Sequence, residues 1–206
     1  PQFAYGYGLT YAHGARVDVL SEDSGVADAE GSLDRYFVDG RFVAPWSLML
    51  RDAGGDFRLG AEKSGVSPRG GVAARSTDGA GQESARSLIF SQGGGQAAIM
   101  AQPVDLTRQS NGEMAIAFRY RVDDRARGPV FLVLGAGAVD ISRLINATPV
   151  GQWRTLKVRL SCLRDHGADI AAVDQPWSLR TAADFAVTVE DIRLASNEGD
   201  AVCPTQ

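Results

Sequence analysis

Residues 114–122 read MAIAFRYRV, in which every second side chain is large and apolar. The Met, Ile, Phe, Tyr and Val side chains share one face, while Arg119 and Arg121 project from the other. Side chains on a β-strand point alternately to its two faces, so a period of two indicates a strand with one buried and one exposed face. This stretch therefore predicts a half-buried strand of a β-sheet.

Segments on both sides of this strand show related patterns. Residues 155–160 (TLKVRL) also alternate, and in residues 46–50 (WSLML) the side chains of Trp46, Leu48 and Leu50 share one face. Residues 130–134 (VFLVL) form an unbroken apolar run, which is typical of a strand covered on both faces. Several separate strands are therefore predicted along the chain.

The last predicted strand changes phase along its length. Phe185, Val187 and Val189 keep one parity, whereas Ile192 and Leu194 take the other. One extra residue in a β-bulge produces such a change. We therefore predict a bulge at residues 190–191.

Gly-rich clusters separate these segments, among them DAGGD (52–56), QGGGQ (92–96) and GAGAVD (135–140). They are turn signals, and no Lys-Ser or Lys-Thr pair follows them, as a phosphate-binding loop requires. Only residues 163–174 have helical character. Short strands joined by Gly-rich turns predict an all-β sandwich.

The composition is that of an ordinary globular domain. The chain has 206 residues, of which 44% are hydrophobic and 22% charged. Its formal net charge of −4 argues against a surface for nucleic acid or anionic membranes. No apolar run approaches the roughly 20 residues that span a bilayer. We therefore expect neither nucleic acid nor a membrane among its partners.

The chain has two cysteines, Cys162 and Cys203. We do not expect a zinc site at either cysteine. Two cysteines with none left over fit a single disulfide in an exported protein, and the alternative is two unrelated buried thiols. We predict the disulfide.

The N-terminal part differs from the rest. Residues 13–45 are acidic, rich in Gly and Ser and without a sustained period, which predicts a linker or an extended wrapping segment. The strand patterns begin at Trp46, so we predict that the β-sandwich spans residues 46–206. Residues 1–12 precede the linker and are aromatic and uncharged.

Within residues 1–12, the sequence FAYGYGLTY (3–11) resembles a motif of glycoside hydrolase family 3 β-glucosidases. That motif, F-x-[FY]-G-x-G-L-[ST]-Y, lies near the end of the family's α/β sandwich domain. The resemblance implies that residues 1–12 are the terminal piece of a preceding glycoside hydrolase domain. The catalytic domains upstream in the same polypeptide would then be partners of this chain.

Residues 153–194, WRTLKVRLSCLRDHGADIAAVDQPWSLRTAADFAVTVEDIRL, resemble a second part of that family. They are similar to the β-sandwich appended to exo-1,3/1,4-β-glucanases of Gram-negative bacteria. The resemblance implies a galactose-binding-like jelly roll, a layout shared with many carbohydrate-binding modules. It also implies an exported parent enzyme, periplasmic or secreted, which agrees with the predicted disulfide.

The chain lacks the signals of a catalytic site. Family 3 enzymes commonly carry their nucleophile in a Ser-Asp-Trp context, which is absent from this sequence. Glycoside hydrolysis needs two carboxylates about 5–10 Å apart in a cleft. Adjacent pairs such as Asp123-Asp124 point to opposite faces of a strand. No G-x-S-x-G motif suggests a serine nucleophile. We expect the chain itself to be non-catalytic and its parent to be a glycoside hydrolase.

Sugar-binding modules stack pyranose rings on exposed aromatic side chains. Trp46 and Trp177 share the parity of their apolar neighbours, so we expect both in the core. Trp153 is out of phase with the apolar residues of its strand, which makes it either a sugar platform or a plug at the end of the sandwich. Arg119 and Arg121 could grip sugar hydroxyls or a carboxylate of a partner, or simply face solvent. Glu113 lies on the same predicted face and completes the set of candidate sugar-binding residues.

Calcium is a further candidate ligand, although no other cofactor is expected. Galactose-binding-like modules often hold a structural Ca²⁺ with an acidic residue of the last strand, and the resemblance points to Asp191. Asp52 and Asp56 flank a Gly-Gly turn and offer further oxygen ligands.

Two main hypotheses follow for the function of the chain. The first is a structural accessory domain that packs against the catalytic domains of an exported family 3 enzyme acting on β-glucans. The second is a β-glucan-binding module that holds the enzyme on its polysaccharide. A third alternative is an unrelated β-sandwich that serves adhesion or interaction, for which the opening motif would be a coincidence.

Overall fold

A computed structural model describes residues 33–60 and 62–204 of the chain. These residues belong to one compact unit that begins at Leu33. The predictions for residues 1–12, which include the FAYGYGLTY motif, lie outside the described residues. So does the larger part of the predicted 13–45 segment.

The described residues form fourteen strands and three short helices. The strands are β1 (Arg35–Val38), β2 (Arg41–Phe42), β3 (Ser47–Asp52), β4 (Gly55–Leu59), β5 (Ser64–Val66), β6 (Val72–Thr77), β7 (Ala85–Phe90), β8 (Gly95–Met100), β9 (Ala115–Asp124), β10 (Val130–Leu134), β11 (Gly137–Asp140), β12 (Trp153–Arg159), β13 (Trp177–Thr181) and β14 (Phe185–Ala195). The helices are α1 (Thr107–Asn111), α2 (Ser142–Ala147) and α3 (Leu160–Asp165). No helix of this described part has the length and hydropathy of a membrane span.

The strands form two antiparallel sheets. The first sheet has eight strands in the order β12-β9-β14-β7-β6-β5, with β1 paired to β14 and β2 paired to β1. The second sheet has six strands in the order β11-β10-β13-β8-β3-β4. Apolar side chains from both sheets join in one core. This arrangement confirms the predicted all-β sandwich.

The alternation of residues 114–122 sets the orientation of β9 in the first sheet. Ile116, Phe118 and Val122 are fully buried in the core, whereas the side chains of Arg119 and Arg121 are partly exposed on the outer face. Trp46 and Trp177 are also buried, as their parity predicts. Residue parity along a strand therefore reports correctly which side chains enter the core.

The predicted bulge lies in β14. The pairing of β14 with β9 shifts register between Glu190 and Arg193, and Asp191 has a left-handed backbone with φ of +49°. Ile192 and Leu194 are therefore buried although their parity differs from that of Val189.

The first sheet begins before the predicted boundary at residue 46. β1 pairs with β14, and both Tyr36 and Phe37 are completely buried. The ring of Phe37 packs against that of Phe42, with centroids 4.7 Å apart. Residues 35–42 thus belong to the sandwich and not to a linker. The sequence does not reveal this, because their apolar run is short and lies within an acidic segment.

The predicted helix at 163–174 is displaced in the structure. α3 spans only Leu160–Asp165, and Gly167 follows with a left-handed backbone, φ of +100°. A left-handed residue just beyond a helix ends it, so residues 168–174 do not continue the helix.

Cys162 of α3 forms a disulfide with Cys203, as predicted. The C-terminal segment runs beside β12, where Val202 forms a parallel bridge with Val158. The Asp200 carboxylate accepts a hydrogen bond from Lys157, and this bond lowers the pKa of Asp200. The disulfide and these contacts fix the C-terminal segment to the edge of the first sheet.

Candidate functional site

Three of the four residues predicted to bind sugar come together on the outer face of the first sheet. Trp153 begins β12 and lies opposite Arg121 of β9, and Arg119 lies two positions along β9 on the same side. The guanidinium carbons of Arg119 and Arg121 lie 5.2 and 5.3 Å from the centroid of the Trp153 ring. These distances are within the range of cation–π interactions. We call Trp153, Arg119 and Arg121 the tryptophan face.

Each of the two arginines is held by a carboxylate of the same sheet. Arg119 donates to Glu190 of β14, and Arg121 donates from Nε to Oδ1 of Asp123 at 2.7 Å. Asp123 also accepts a hydrogen bond of 2.5 Å from the Thr188 hydroxyl. The positive charges under the indole are therefore paired, and the guanidinium groups have little freedom to turn away from the ring.

Glu190 connects the tryptophan face to a neighbouring loop. Its side chain is buried, and it also accepts hydrogen bonds from the Ala80 N–H at 2.9 Å and from the Ser84 hydroxyl at 3.3 Å. A Cβ atom on Gly79 would lie 2.0 Å from Glu190 Oε2, so a larger residue there would displace the carboxylate that Arg119 binds. The sequence marks Glu190 only as the start of the bulge, and its role depends on pairing between distant strands.

A cleft of about 520 Å³ adjoins the tryptophan face at Arg119. Its lining includes Arg119, Glu190 and Asp191, together with Gln82 and Ser84 of the loop that Glu190 binds. The cleft thus offers hydrogen-bond donors and acceptors beside a half-buried aromatic ring. This combination can bind the polar side chains of a protein partner or the hydroxyl groups of a sugar.

The structure does not bring Glu113 to this face. Glu113 precedes β9 in an exposed turn with φ of +56°, at the end of β9 that pairs with Arg159 rather than with Trp153. Six residues of extended strand separate it from Arg119, which corresponds to about 20 Å. Glu113 shares the parity of Arg119 in the sequence, but it lies outside β9 and too far along the chain to reach Arg119.

The predicted calcium ligands also lie apart. Asp191 belongs to the first sheet and pairs with Arg193 at 3.2 Å, whereas Asp52 and Asp56 belong to the β3–β4 hairpin of the second sheet. Arg51 donates two hydrogen bonds to Asp56, and these bonds lower the pKa of that carboxyl. The three carboxylates therefore do not converge on one ion.

The Asp52 carboxylate is occupied by hydrogen bonds from its own surroundings. It accepts from the Ser67 hydroxyl at 2.6 Å and from the N–H groups of Gly54, Arg69 and Gly71 at 2.7–3.1 Å. Burial raises the pKa of Asp52, but these hydrogen bonds together outweigh burial and lower the pKa to about 2. Asp52 is thus an ionised group that fixes the adjacent loops.

Comparison with known proteins gives a family and a fold. The sequence profile of the galactose-binding domain-like family Exop_C matches residues 44–194. None of the curated proteins matches the chain at a significant level. The extra C-terminal domain (X) of the exo-1,3/1,4-β-glucanase ExoP from a Pseudoalteromonas species superposes with a TM-score of 0.67 at 14% identity, over 85% of this chain and 100% of that domain.

Two further solved structures are similar to the chain. The complete ExoP superposes with a TM-score of 0.68 at 14% identity, over 83% of this chain but only 21% of that enzyme. A family 30 carbohydrate-binding module from a cellulosomal cellulase of Clostridium thermocellum gives a TM-score of 0.48 at 17% identity, over 81% of this chain and 99% of the module. At these identities the likenesses concern the fold alone. The profile covers more than half of the sequence, and the chain therefore belongs to the galactose-binding domain-like family Exop_C.

Proposed function

We propose that this chain is a non-catalytic accessory domain of an exported family 3 exo-β-glucanase, and that its tryptophan face packs against the catalytic domains. The likeness to the extra C-terminal domain of a glucanase supports the parentage. The observation that supports the packing role is the contact of two arginines with the Trp153 ring. Two arginines lie against one indole ring, and a carboxylate anchors each of them.

The tryptophan face has the chemistry of a protein interface. Trp and Arg are among the residues most enriched in the positions that dominate binding energy. Ion pairs and cation–π contacts already fix the side chains of Trp153, Arg119 and Arg121, so docking costs little side-chain entropy. The cleft of about 520 Å³ beside Arg119 offers a place for a partner side chain. A preorganised aromatic and cationic surface of this kind suits packing against another folded domain.

A second candidate function is supported by the same cleft. Gln82, Ser84 and Glu190 could bind the hydroxyl groups of a sugar whose ring stacks on Trp153. On this alternative the tryptophan face holds β-glucan and does not contact the catalytic domains. The two functions differ in what covers Trp153.

The experiment uses the complete polypeptide encoded by the gene of this chain. We expect it to release glucose from laminarin or mixed-linkage β-glucan, whereas the 206-residue chain alone releases none. Trp153→Ala should raise the rate at which thermolysin separates the sandwich from the upstream domains by about tenfold or more. Loss of a dominant interface residue costs at least about 2 kcal/mol, and cleavage follows the undocked population.

Arg154→Ala is the matched control. Arg154 is exposed on the same strand and lies outside the tryptophan face, and among the described residues its side chain donates only to Gln152. Its substitution should leave the rate of thermolysin cleavage unchanged. A complete polypeptide without activity on any β-glucan would contradict the proposed parentage. Equal cleavage rates for the wild type and Trp153→Ala would contradict packing through this face.

A further inference from the structure

The outer face of the second sheet carries a groove of about 400 Å³, away from the tryptophan face. Four residues on neighbouring strands lie side by side across it: Phe131 of β10, Arg180 of β13, Gln96 of β8 and Arg51 of β3. Three strand spacings separate the first from the last, so the row spans about 14 Å. The volume is within the range of about 300–1,000 Å³ that is typical of small-ligand sites.

The two arginines turn away from the centre of this row. The guanidinium carbon of Arg180 lies 5.5 Å from the centroid of the Phe131 ring, and Arg51 binds Asp56 on its other side. Gln96 between them is 9% exposed, and it forms part of the groove lining. The groove is therefore open above an amide and bordered by two guanidinium groups and one half-buried aromatic ring.

The orientation of Gln96 is fixed by its neighbours. Nε2 donates to the Ser178 hydroxyl at 2.8 Å and to Oε1 of Gln175 at 3.1 Å. Within the part of the chain that the structure describes, Gln96 Oε1 has no hydrogen-bond partner, so it remains an acceptor for a ligand. Arg180 likewise forms no salt bridge among the described residues and can donate to a ligand.

The Gly-rich turn QGGGQ (92–96) shapes one wall of the groove. A Cβ atom on Gly94 would lie 2.0 Å from the carbonyl oxygen of Thr181, and one on Gly95 would lie 2.1 Å from that of Arg51. Only glycine allows this close packing of the turn against both neighbouring strands. Asp52, which also lines the groove, accepts hydrogen bonds from the N–H groups of Arg69 and Gly71 and so ties the β3–β4 hairpin to the neighbouring loop.

The charges around the groove do not favour a polyanion as ligand. Arg51, Arg180 and the nearby Arg58 contribute three positive charges, and Asp52, Asp56 and Asp174 balance them with three negative charges close to Arg51. A neutral ligand with an apolar ring face and many hydroxyl groups matches the aromatic ring, the guanidinium donors and the amide acceptor. Hexopyranose units have this character.

We infer that this groove binds a neutral hexopyranose chain, with Arg180 and Gln96 at its hydroxyl groups and Phe131 against a sugar ring. The choice of β-glucan as the test ligand rests on the proposed glucanase parent, but the groove itself does not involve the tryptophan face. The domain then has two binding surfaces on different sheets. The tryptophan face packs against the catalytic domains, and the groove binds their polysaccharide.

The test is affinity electrophoresis of the 206-residue chain in gels that contain mixed-linkage β-glucan or laminarin, with titration calorimetry of cellohexaose and laminarihexaose. We expect the wild type to be retarded, and Arg180→Ala and Phe131→Ala each to weaken binding by at least about tenfold, which corresponds to about 1.4 kcal/mol. Arg180 is exposed, so its substitution leaves the core intact even if Phe131→Ala perturbs folding. The exposed-arginine control Arg154→Ala should bind as the wild type does, and Trp153→Ala tests whether the sugar lies on the tryptophan face instead.

Two results would overturn the inference. One is a wild type that is not retarded in either gel and gives no heat with either oligosaccharide. The other is retardation that Trp153→Ala abolishes and the groove variants retain, which would place the sugar on the tryptophan face. Neither result depends on glucose release or on thermolysin cleavage of the complete polypeptide, so failure of the groove and failure of the proposed function are distinguishable.

Discussion

Reduction of the Cys162–Cys203 disulfide is expected to lower the free energy of unfolding of the chain by about 4 kcal/mol. The two cysteines are 41 residues apart in sequence, and a cross-link of this length removes much of the entropy of the unfolded chain. The bond also holds the C-terminal segment beside β12, where Val202 and Asp200 contact the strand. Urea unfolding followed by tryptophan fluorescence, with and without a phosphine reductant, measures the difference.

The Cys203→Ser variant separates the disulfide from other effects of the reductant. It should lose as much stability as the reduced wild type, and the reductant should not destabilise it further. A loss below about 1 kcal/mol in both cases, well under the usual range for a native disulfide, would show that non-covalent contacts alone hold the C-terminal segment, contrary to this expectation.

Trp177→Ala is expected to cost about 3–5 kcal/mol of folding free energy, the range for removal of a large aromatic side chain from a core. Trp177 is 1% exposed at the start of β13, in the second sheet. Its ring packs edge-on against that of Phe118 in the first sheet, with centroids 5.6 Å apart. Removing the indole would leave a cavity between the two sheets, since neither strand can move inward without breaking its pairing.

Trp153→Ala is the control for this prediction, because it removes the same side chain from the surface of the first sheet. Trp153 is half-buried and its contacts are cation–π pairs, so its loss should cost no more than about 1–2 kcal/mol. Equal destabilisation by the two substitutions would contradict the assignment of one tryptophan to the core and the other to a docking surface. Denaturant midpoints of both variants give the comparison.

The strands and the bulge can be predicted because they depend on local patterns. Parity along residues 114–122 and 185–194 reports which side chains are buried, and a change of parity reports the bulge. The same reasoning places Trp153 outside the core and puts Arg119 and Arg121 on an outer face. It cannot show that β12 pairs with β9, which is what brings the indole onto the two guanidinium groups.

The groove on the second sheet escapes sequence-based prediction for the same physical reason. Arg51 and Arg180 belong to distant parts of the sequence, and only the pairing of β3 and β13 with β8 brings them together. The apolar run 130–134 predicts a strand covered on both faces. On the outer face of this strand Val133 is covered and only 3% exposed, as predicted, but Phe131 is half-buried and lines the groove. A local sequence pattern does not show which residues of a strand the rest of the chain leaves uncovered.

The solvent exposure of Trp153 in the complete polypeptide tests the central claim most directly. Hydroxyl-radical footprinting with mass spectrometry measures the oxidation of each tryptophan in the complete polypeptide and in the 206-residue chain. If the tryptophan face packs against the catalytic domains, Trp153 is oxidised in the isolated chain and protected in the complete polypeptide, while the buried Trp46 and Trp177 are protected in both. Oxidation of Trp153 at the same rate in both proteins would contradict the account.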